Sequence, residues 1–385
     1  VKAGWPRKRI SEIAQHSLGK MLDKAKNKGV PQPYLRNLNV RWFEFDLSDV
    51  LEMRFLPEET ARYTAVKGDV LVCEGGYPGR AAIWDHNVPI YFQKALHRVR
   101  FHEPERNKWF LYYLYSRDLD GTLKENFNGA GIQHFTGETL AQFELPLPPL
   151  SEQHRIVAIL DEAFDGIATA KANAEQNLQN ARALFESHLQ SVFTERGEGW
   201  VEKPLADVCE LVNGRAYKKH EMLAAGKYPL LRVGNFFTNR DWYYSDLELE
   251  PKKYCDNGDL LYAWSASFGP RIWDGGKVIY HYHIWKVLPN AALVEKRFLF
   301  HLLEWDVEQI KQAHGTGTTM MHVSKGSMES RFVPIPPLKE QERIVSLLDD
   351  LILETQRLES IYQQKLTALD DLKKSILHQA FSGQL

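Results

Sequence analysis

The 385 residues include three cysteines. Cys73, Cys209 and Cys255 lie far apart, with no metal-ligand spacing among them. Neither a disulfide framework nor a zinc knuckle is expected, and a reduced, cytoplasmic protein is the plain reading. No apolar run approaches the roughly 20 residues of a membrane span. The opening stretch VKAGWPRKRISEIAQ has no signal-peptide core. Catalytic signatures are missing as well. There is no H-E-x-x-H and no G-x-S-x-G. The Pro-Pro pairs run into Leu150 and Leu338, so the Asn/Asp-Pro-Pro-aromatic motif of an adenine methyltransferase is absent. Two glycine-rich stretches, FNGAGIQHFTG (127–137) and HGTGTTMMHVSKG (314–326), lack the strand-loop-helix setting and G-K-[ST] ending of a phosphate-binding loop. No candidate catalytic residue, metal ligand or cofactor site follows from the sequence. Net charge is −2, so a strongly basic face is not evident either. The basic clusters PRKR (6–9) and KMLDKAKNK (20–28) read as solvated surface.

What the chain does have is a repeat of itself. LPLPPLSEQHRIVAIL (145–160) returns as VPIPPLKEQERIVSLL (333–348), 188 positions later. At the same offset KWFLYYL (108–114) meets KRFLFHL (296–302), His134 meets His322 and Gly129 meets Gly317. Toward the N-terminus the offset drifts, as changes in loop length produce. GDVL (68–71) meets GDLL (258–261), Gly19 meets Gly214, and YLRNLN (34–39) meets LLRVGN (230–235). Two copies of one unit account for the chain. The segments are 1–149, 150–196, 197–337 and 338–385.

The two short segments read as long helices. Proline before each start keeps the preceding residue out of the helical region. Ser151 is a candidate N-cap in the first copy. Apolar residues then recur every three or four positions. The first seam is Ile156, Leu160, Ala163, Ile167, Ala170, Ala174, Leu178, Ala181, Phe185, Leu189 and Val192. The second is Ile344, Leu348, Leu351, Thr355, Leu358, Tyr362, Leu366, Leu369, Lys373, Leu377 and Ala380, with Lys373 as a break that Leu372 could fill. Small residues in the middle of one seam and bulky ones in the other suit two facing helices, paired antiparallel within one chain.

The two large segments read as mixed α and β. DVLVC (69–73), AAIWD (81–85), DLLYAW (259–264) and KVIYHYHIWKVL (277–288) are strand-like, with turn residues between them. His281 and His283 alternate along the last of these and read as surface or hydrogen-bonded residues rather than ligands. The expected fold class is therefore α+β. Two mixed α/β domains are separated by two long helices packed as an antiparallel coiled coil, with a pseudo-twofold internal repeat.

The double P-x-P-P-L-x-E-Q-x-R-I-V signature, the GD[VL]L turns and the terminal LHQAFSGQL (377–385) resemble the specificity subunit of type I restriction-modification systems. The resemblance spans the whole chain. It implies that segments 1–149 and 197–337 are target recognition domains, each reading one half of a split, asymmetric DNA target. The helices 150–196 and 338–385 act as a ruler between them. It implies a subunit without catalysis of its own, whose partners are double-stranded DNA, two adenine-methylating modification subunits and nuclease-translocase restriction subunits, with no membrane. S-adenosylmethionine, ATP and magnesium would belong to those partners. The alternatives are a self-sufficient DNA-modifying enzyme with diverged motifs, or a coiled-coil scaffold that binds no DNA.

Candidate DNA-contacting residues are those whose chemistry suits base edges or phosphates. Arg36, Asn39, Arg232 and Asn235 hold matching places in the two copies, Arg80 and Arg271 follow turn glycines, and Gln133, His134, His322 and Lys325 lie in the late loops. Lys20, Arg215 and Lys218 complete the set. Phe193 and Phe381, equivalent rings near the helix ends, are the candidates for docking a modification subunit.

Overall fold

The computed structural model of the chain describes residues 4–23, 25–129, 131–238, 241–265, 267–314 and 322–385. Packing divides it into two units. Unit 1 is Val1–Glu175 with Gln363–Leu385, and unit 2 is Gln176–Tyr362. Each unit thus closes with helical residues drawn from both long-helix segments of the sequence.

Unit 1 begins with β1 (Arg7–Arg9), α1 (Ile10–Ile13), β2 (Ala14–Leu18), β3 (Val30–Leu35) and β4 (Leu51–Phe55). Then come α2 (Thr60–Tyr63), β5 (Thr64–Ala65), β6 (Val70–Cys73), β7 (Ala81–Ile83), β8 (Ile90–Phe92) and β9 (Leu96–Phe101). The helices α3 (Arg106–Leu119) and α4 (Gly137–Gln142), β10 (Glu144–Pro146) and the long α5 (Leu150–Thr194) follow. Unit 2 repeats the strand order, with its short second helix one strand earlier: β11 (Val201–Pro204), α6 (Leu205–Val208), β12 (Cys209–Asn213), β13 (Tyr228–Leu231), α7 (Val233–Phe237) and β14 (Tyr243–Ser245). It continues through β15 (Tyr254–Cys255), β16 (Leu260–Ser265), β17 (Ser267–Ile272), β18 (Val278–Tyr280) and β19 (Ile284–Pro289). The helices α8 (Lys296–His314) and α9 (Lys325–Glu329), β20 (Phe332–Ile335) and the long α10 (Leu338–Ser382) end it.

The sheets repeat as the sequence does. Unit 1 has four-stranded sheets ordered β2-β9-β6-β7 and β4-β3-β8-β5, and unit 2 has β12-β19-β16-β17 and β14-β13-β18-β15. Strand n of one unit stands where strand n+10 stands in the other. In each, the second sheet contains a parallel pair, β3 with β8 and β13 with β18. Reading residues 277–288 as one strand needs correction. β18 and β19 belong to different sheets, and His281–His283 form the turn between them. The Ile284 N–H bonds back to the His281 carbonyl at 3.0 Å, which closes the chain too tightly for a strand to run through.

The long helices follow the expected seams. In unit 1, Ile156 and Leu160 of α5 meet Leu377, Ala380 and Phe381 of α10 in one core with Trp109 and Phe110 of α3. In unit 2, Leu189 and Phe193 of α5 share a core with Ile344 and Leu348 of α10 and Phe298 and Leu302 of α8. Within each unit the helical pieces run antiparallel. Arg155 reaches the Leu385 carbonyl and Lys171 reaches Asp370 in unit 1, and Arg182 reaches Glu359 in unit 2. Leu372 does not fill the gap at Lys373, because it is 46% exposed while Lys373 itself turns inward. Ser151 is not the cap either. α5 starts at Leu150, and the Pro149 carbonyl already accepts the Gln153 N–H.

The repeated signature has a structural office. Gln153 and Gln341 are both fully buried at the start of their helices. Each side-chain amide donates to the carbonyl five residues back, Pro148 (2.7 Å) or Pro336 (2.8 Å). About two turns on, Asp161 and Asp349 tie each long helix to the domain helix beside it. Asp161 accepts from Lys108 and Tyr112, and Asp349 from Arg297 and His301.

Candidate nucleic-acid interface

In each unit the chain leaves one sheet and enters the other through a three-residue turn, Gln93–Ala95 between β8 and β9 or His281–His283 between β18 and β19. The same backbone hydrogen bonds hold both. In unit 1, N–H groups of Gly19, Lys20, Gln93, Lys94, Leu96 and Glu74 donate to carbonyls of Leu96, Phe92, Leu35, Lys20, Gln93 and Ala95. In unit 2, Gly214, Arg215, His281, Tyr282, Ile284 and Trp264 donate to Ile284, Tyr280, Leu231, Arg215, His281 and His283. Every one of these contacts lies between 2.8 and 3.2 Å. The glycine is required for close approach. A Cβ at Gly19 would lie 2.3 Å from the Gln93 carbonyl oxygen, and one at Gly214 would lie 2.3 Å from that of His281.

On this shared frame the side chains differ. Gln93 and Ala95 are half-buried and Lys94 is exposed, and His281 and His283 are half-buried with Tyr282 exposed between them. In unit 2 the rings run on continuously. Centroids are 4.5 Å apart for His281 and Tyr282, 3.8 Å for Tyr282 and His283, 5.0 Å for His283 and Trp264, and 6.0 Å for Trp264 and His322. At the other end Tyr217 stacks on His281, and the Arg215 guanidinium lies over Tyr217. Burial, aided by His283 and Arg232, holds His281 down at about 4. Burial and His322 also lower His283. Near neutral pH His281 is therefore uncharged, one ring nitrogen donating and the other accepting. In unit 1 the loop carrying Gln133 and His134 is pinned beside its turn, since the Phe135 N–H bonds to the carbonyl of Glu74. Gln133, Tyr77, Asp118 and Phe127 line a cavity of about 190 Å³ there.

Several expected contact residues serve the scaffold instead. Lys20 is buried, where its ammonium meets Glu59, the Arg54 carbonyl and the Phe55 ring, so it is not a DNA contact. Asn39 is also buried, and its amide bonds the carbonyls of Asp46 and Asp49. Arg36 pairs with Asp49. Arg80 and Arg271 do equivalent work, reaching the carbonyls of Asn37 and Phe236 across from their turns. Arg215 makes a two-pronged contact with Glu221, whose carboxyl that contact and the Lys218 N–H hold down at about 2. Lys218 is exposed, Arg232 lies over the Tyr243 ring, Asn235 bonds the Asp241 carbonyl, and Lys325 pairs with Glu329. Of the candidates, the structure gathers Arg215, Arg232 and His322 around one turn and Gln133 and His134 near the other.

Phe193 and Phe381 are not surface residues. Phe381 is buried against Trp109 and Tyr113, and Phe193 against Trp305, Phe298 and Trp200. An aromatic ring with such neighbours contributes more as core than as an exposed docking patch, so the expected docking role is withdrawn. Neither turn is among the residues expected from the sequence, where His281 and His283 read as surface or hydrogen-bonded residues. At an offset of 188, QKA stands against HYH between flanks of similar apolar pattern.

Comparison with known proteins identifies the family. The family model for the type I restriction modification DNA specificity domain matches residues 2–180 and 197–368. A putative type I restriction enzyme specificity subunit of Haemophilus influenzae is 26% identical over 306 residues, covering 74% of this chain and 75% of its own. The putative MjaX specificity subunit of Methanocaldococcus jannaschii is 25% identical over 358 residues, 85% of this chain and 81% of that one. The match to the EcoBI specificity subunit of Escherichia coli, 24% identical, spans 57% of this chain and 44% of the relative. Among solved structures, the HsdS subunit of Thermoanaerobacter tengcongensis covers the whole chain at a TM-score of 0.66 and 20% identity. A chain from a study of complex assembly and conformational transition of the type I R-M system does so at 0.81 and 20% identity.

Proposed function

Because the chain belongs to the type I restriction modification DNA specificity domain family, we propose that it is the DNA sequence-specificity subunit of a type I restriction-modification complex. Each unit reads one half of a bipartite, asymmetric target. The observation that carries this reading is the pair of turns, one backbone frame presenting Gln-Lys-Ala in unit 1 and His-Tyr-His in unit 2. Two readers of different half-sites need a common scaffold with unlike side chains where bases are met. The long helices serve as the spacer that sets the number of unread base pairs. Adenine methylation and cleavage belong to partners, two modification subunits and the restriction subunits, which bring S-adenosylmethionine, ATP and magnesium. Among the described residues no helix is long and apolar enough to cross a membrane, and the site of action is the cytoplasm.

Mapping methylated adenines in the host genome, with and without this gene, tests the proposal. A split asymmetric motif should disappear with the gene. If every methylated motif persisted in the deletion strain, the assignment would be wrong.

A further inference from the structure

We propose that the turns Gln93–Ala95 and His281–His283 are the base-reading edges of the two units, and that their unlike side chains make the two half-sites unlike. The inference rests on the DNA reading above and says where in each unit that reading is done.

An internal repeat separates support from recognition. Positions that hold the fold should agree between the copies, and positions that meet different bases should not. Gly19 agrees with Gly214, Asp161 with Asp349, and Gln153 with Gln341, and each has a steric or hydrogen-bonding reason to do so. The turns invert this pattern. Their backbones carry matching hydrogen bonds and their burial runs half-buried, exposed, half-buried in both units, yet none of the three residues is shared. A rigid backbone with an exposed, unlike side chain at its apex is what a specificity element requires.

The chemistry of each triplet indicates what it reads. The Gln93 amide can pair in two-pronged fashion with adenine, and Lys94 can meet a phosphate or a guanine. Unit 2 offers two imidazoles and a phenol, with His281 uncharged near neutral pH. Such groups supply donors and acceptors for base edges but add little phosphate attraction. The arginines beside this turn are Arg215, which is held by Glu221, and Arg232, which lies over the Tyr243 ring.

The test is selection of a randomised duplex library by the full chain, followed by sequencing and a salt titration of binding. The wild-type chain should enrich two separated blocks. The triple substitution His281→Gln, Tyr282→Lys and His283→Ala should alter one or two positions of a single block, with a preference change of about tenfold. It should also steepen the salt dependence by about one phosphate contact. An unchanged motif, or loss of both blocks, overturns the proposal. Should the triple variant melt early, the exposed single Lys94→Ala replaces it. That variant should change only the other block and reduce the salt slope by about one, and no change in motif or slope overturns the assignment. If the wild-type chain enriches no motif, the DNA reading itself fails and the turn assignment goes with it.

Discussion

Lys373 shows how a charge can belong to an apolar seam. By pattern it interrupts the heptads, yet its ammonium lies 4.4 Å from the Phe164 centroid and 4.9 Å from that of Tyr115, with Phe43 at 6.0 Å. Ring faces are electron-rich, so a partly desolvated cation is stabilised there where a carboxylate would not be. Phe43 is held in the left-handed region at φ 70°, and its N–H bonds the Ala81 carbonyl. Lys373→Met keeps most of the side-chain packing and removes the charge, and should cost unit 1 about 0.5–2 kcal/mol in urea unfolding. A neutral result would show the rings indifferent to the ammonium. The cysteines give a second prediction. Burial pushes Cys73 and Cys209 up to about 12 and raises Cys255 further. Thiolates are the reactive species. Native protein at pH 8 should therefore resist a thiol reagent that labels all three positions in guanidinium. Neither Lys373 nor Lys20 could be placed from the sequence, because a binary apolar-polar pattern sees a lysine and not the rings or carboxylate that receive it.

At the scale of elements, the repeated PPLxEQ signature was legible as a helix start, but its office was not. The pattern marks a boundary without saying which partner the glutamine finds. Gln153 donates to Pro148, while its carbonyl oxygen has no hydrogen-bond partner in the structure. Gln341 donates to Pro336 and Leu293 and accepts from the Glu295 N–H, binding the start of α10 to the loop before α8. The two copies should therefore respond unequally. Gln341→Leu leaves three backbone groups unpaired and should cost about 3 kcal/mol or more, whereas Gln153→Leu should cost about 1 kcal/mol or less. Equal losses in chemical denaturation would refute the difference. The Asp349 junction adds a pH dependence. Burial raises its carboxyl, but hydrogen bonds from Arg297 and His301 outweigh that and hold it below the usual 3.8. A lowered carboxyl stabilises the folded state fully above its unfolded value and less as pH falls toward the folded one. Attachment of α10 to α8 should loosen as pH drops below about 4. Hydrogen exchange of α8 should record the loosening, and Asp349→Asn should abolish that part of the pH response.

Over the whole molecule, the twofold repetition is legible in the sequence because the two half-chain copies retain core positions even where loops drift. It could not show which pieces close which core. The seam pattern says that two helices pair. It does not say that α10 starts in unit 2 and ends among the residues of unit 1. Nor could alternation along residues 277–288 show the change of sheet, since both halves of that run are apolar enough for a strand. The routing makes the two cores depend on helix ends that are remote in sequence. Phe381 is a core residue of unit 1, 230 residues and more beyond the strands it helps to cover, and Phe193 precedes the strands of unit 2. A carboxylate in place of either ring would be buried without a partner, on top of a lost aromatic contribution of about 3–5 kcal/mol. Phe381→Asp should therefore unfold unit 1 and leave unit 2 protected, and Phe193→Asp should do the reverse. Hydrogen exchange read strand by strand distinguishes the two, with β6 and β9 reporting on unit 1 and β16 and β19 on unit 2. If Phe381→Asp left β6 and β9 fully protected while association with partner subunits was lost, the ring would be a docking contact after all. Loss of protection in both units from one substitution would mean that the two cores fold as one cooperative body. The separate hydrophobic cores, each with its own buried glutamine and aspartate lock, favour two transitions.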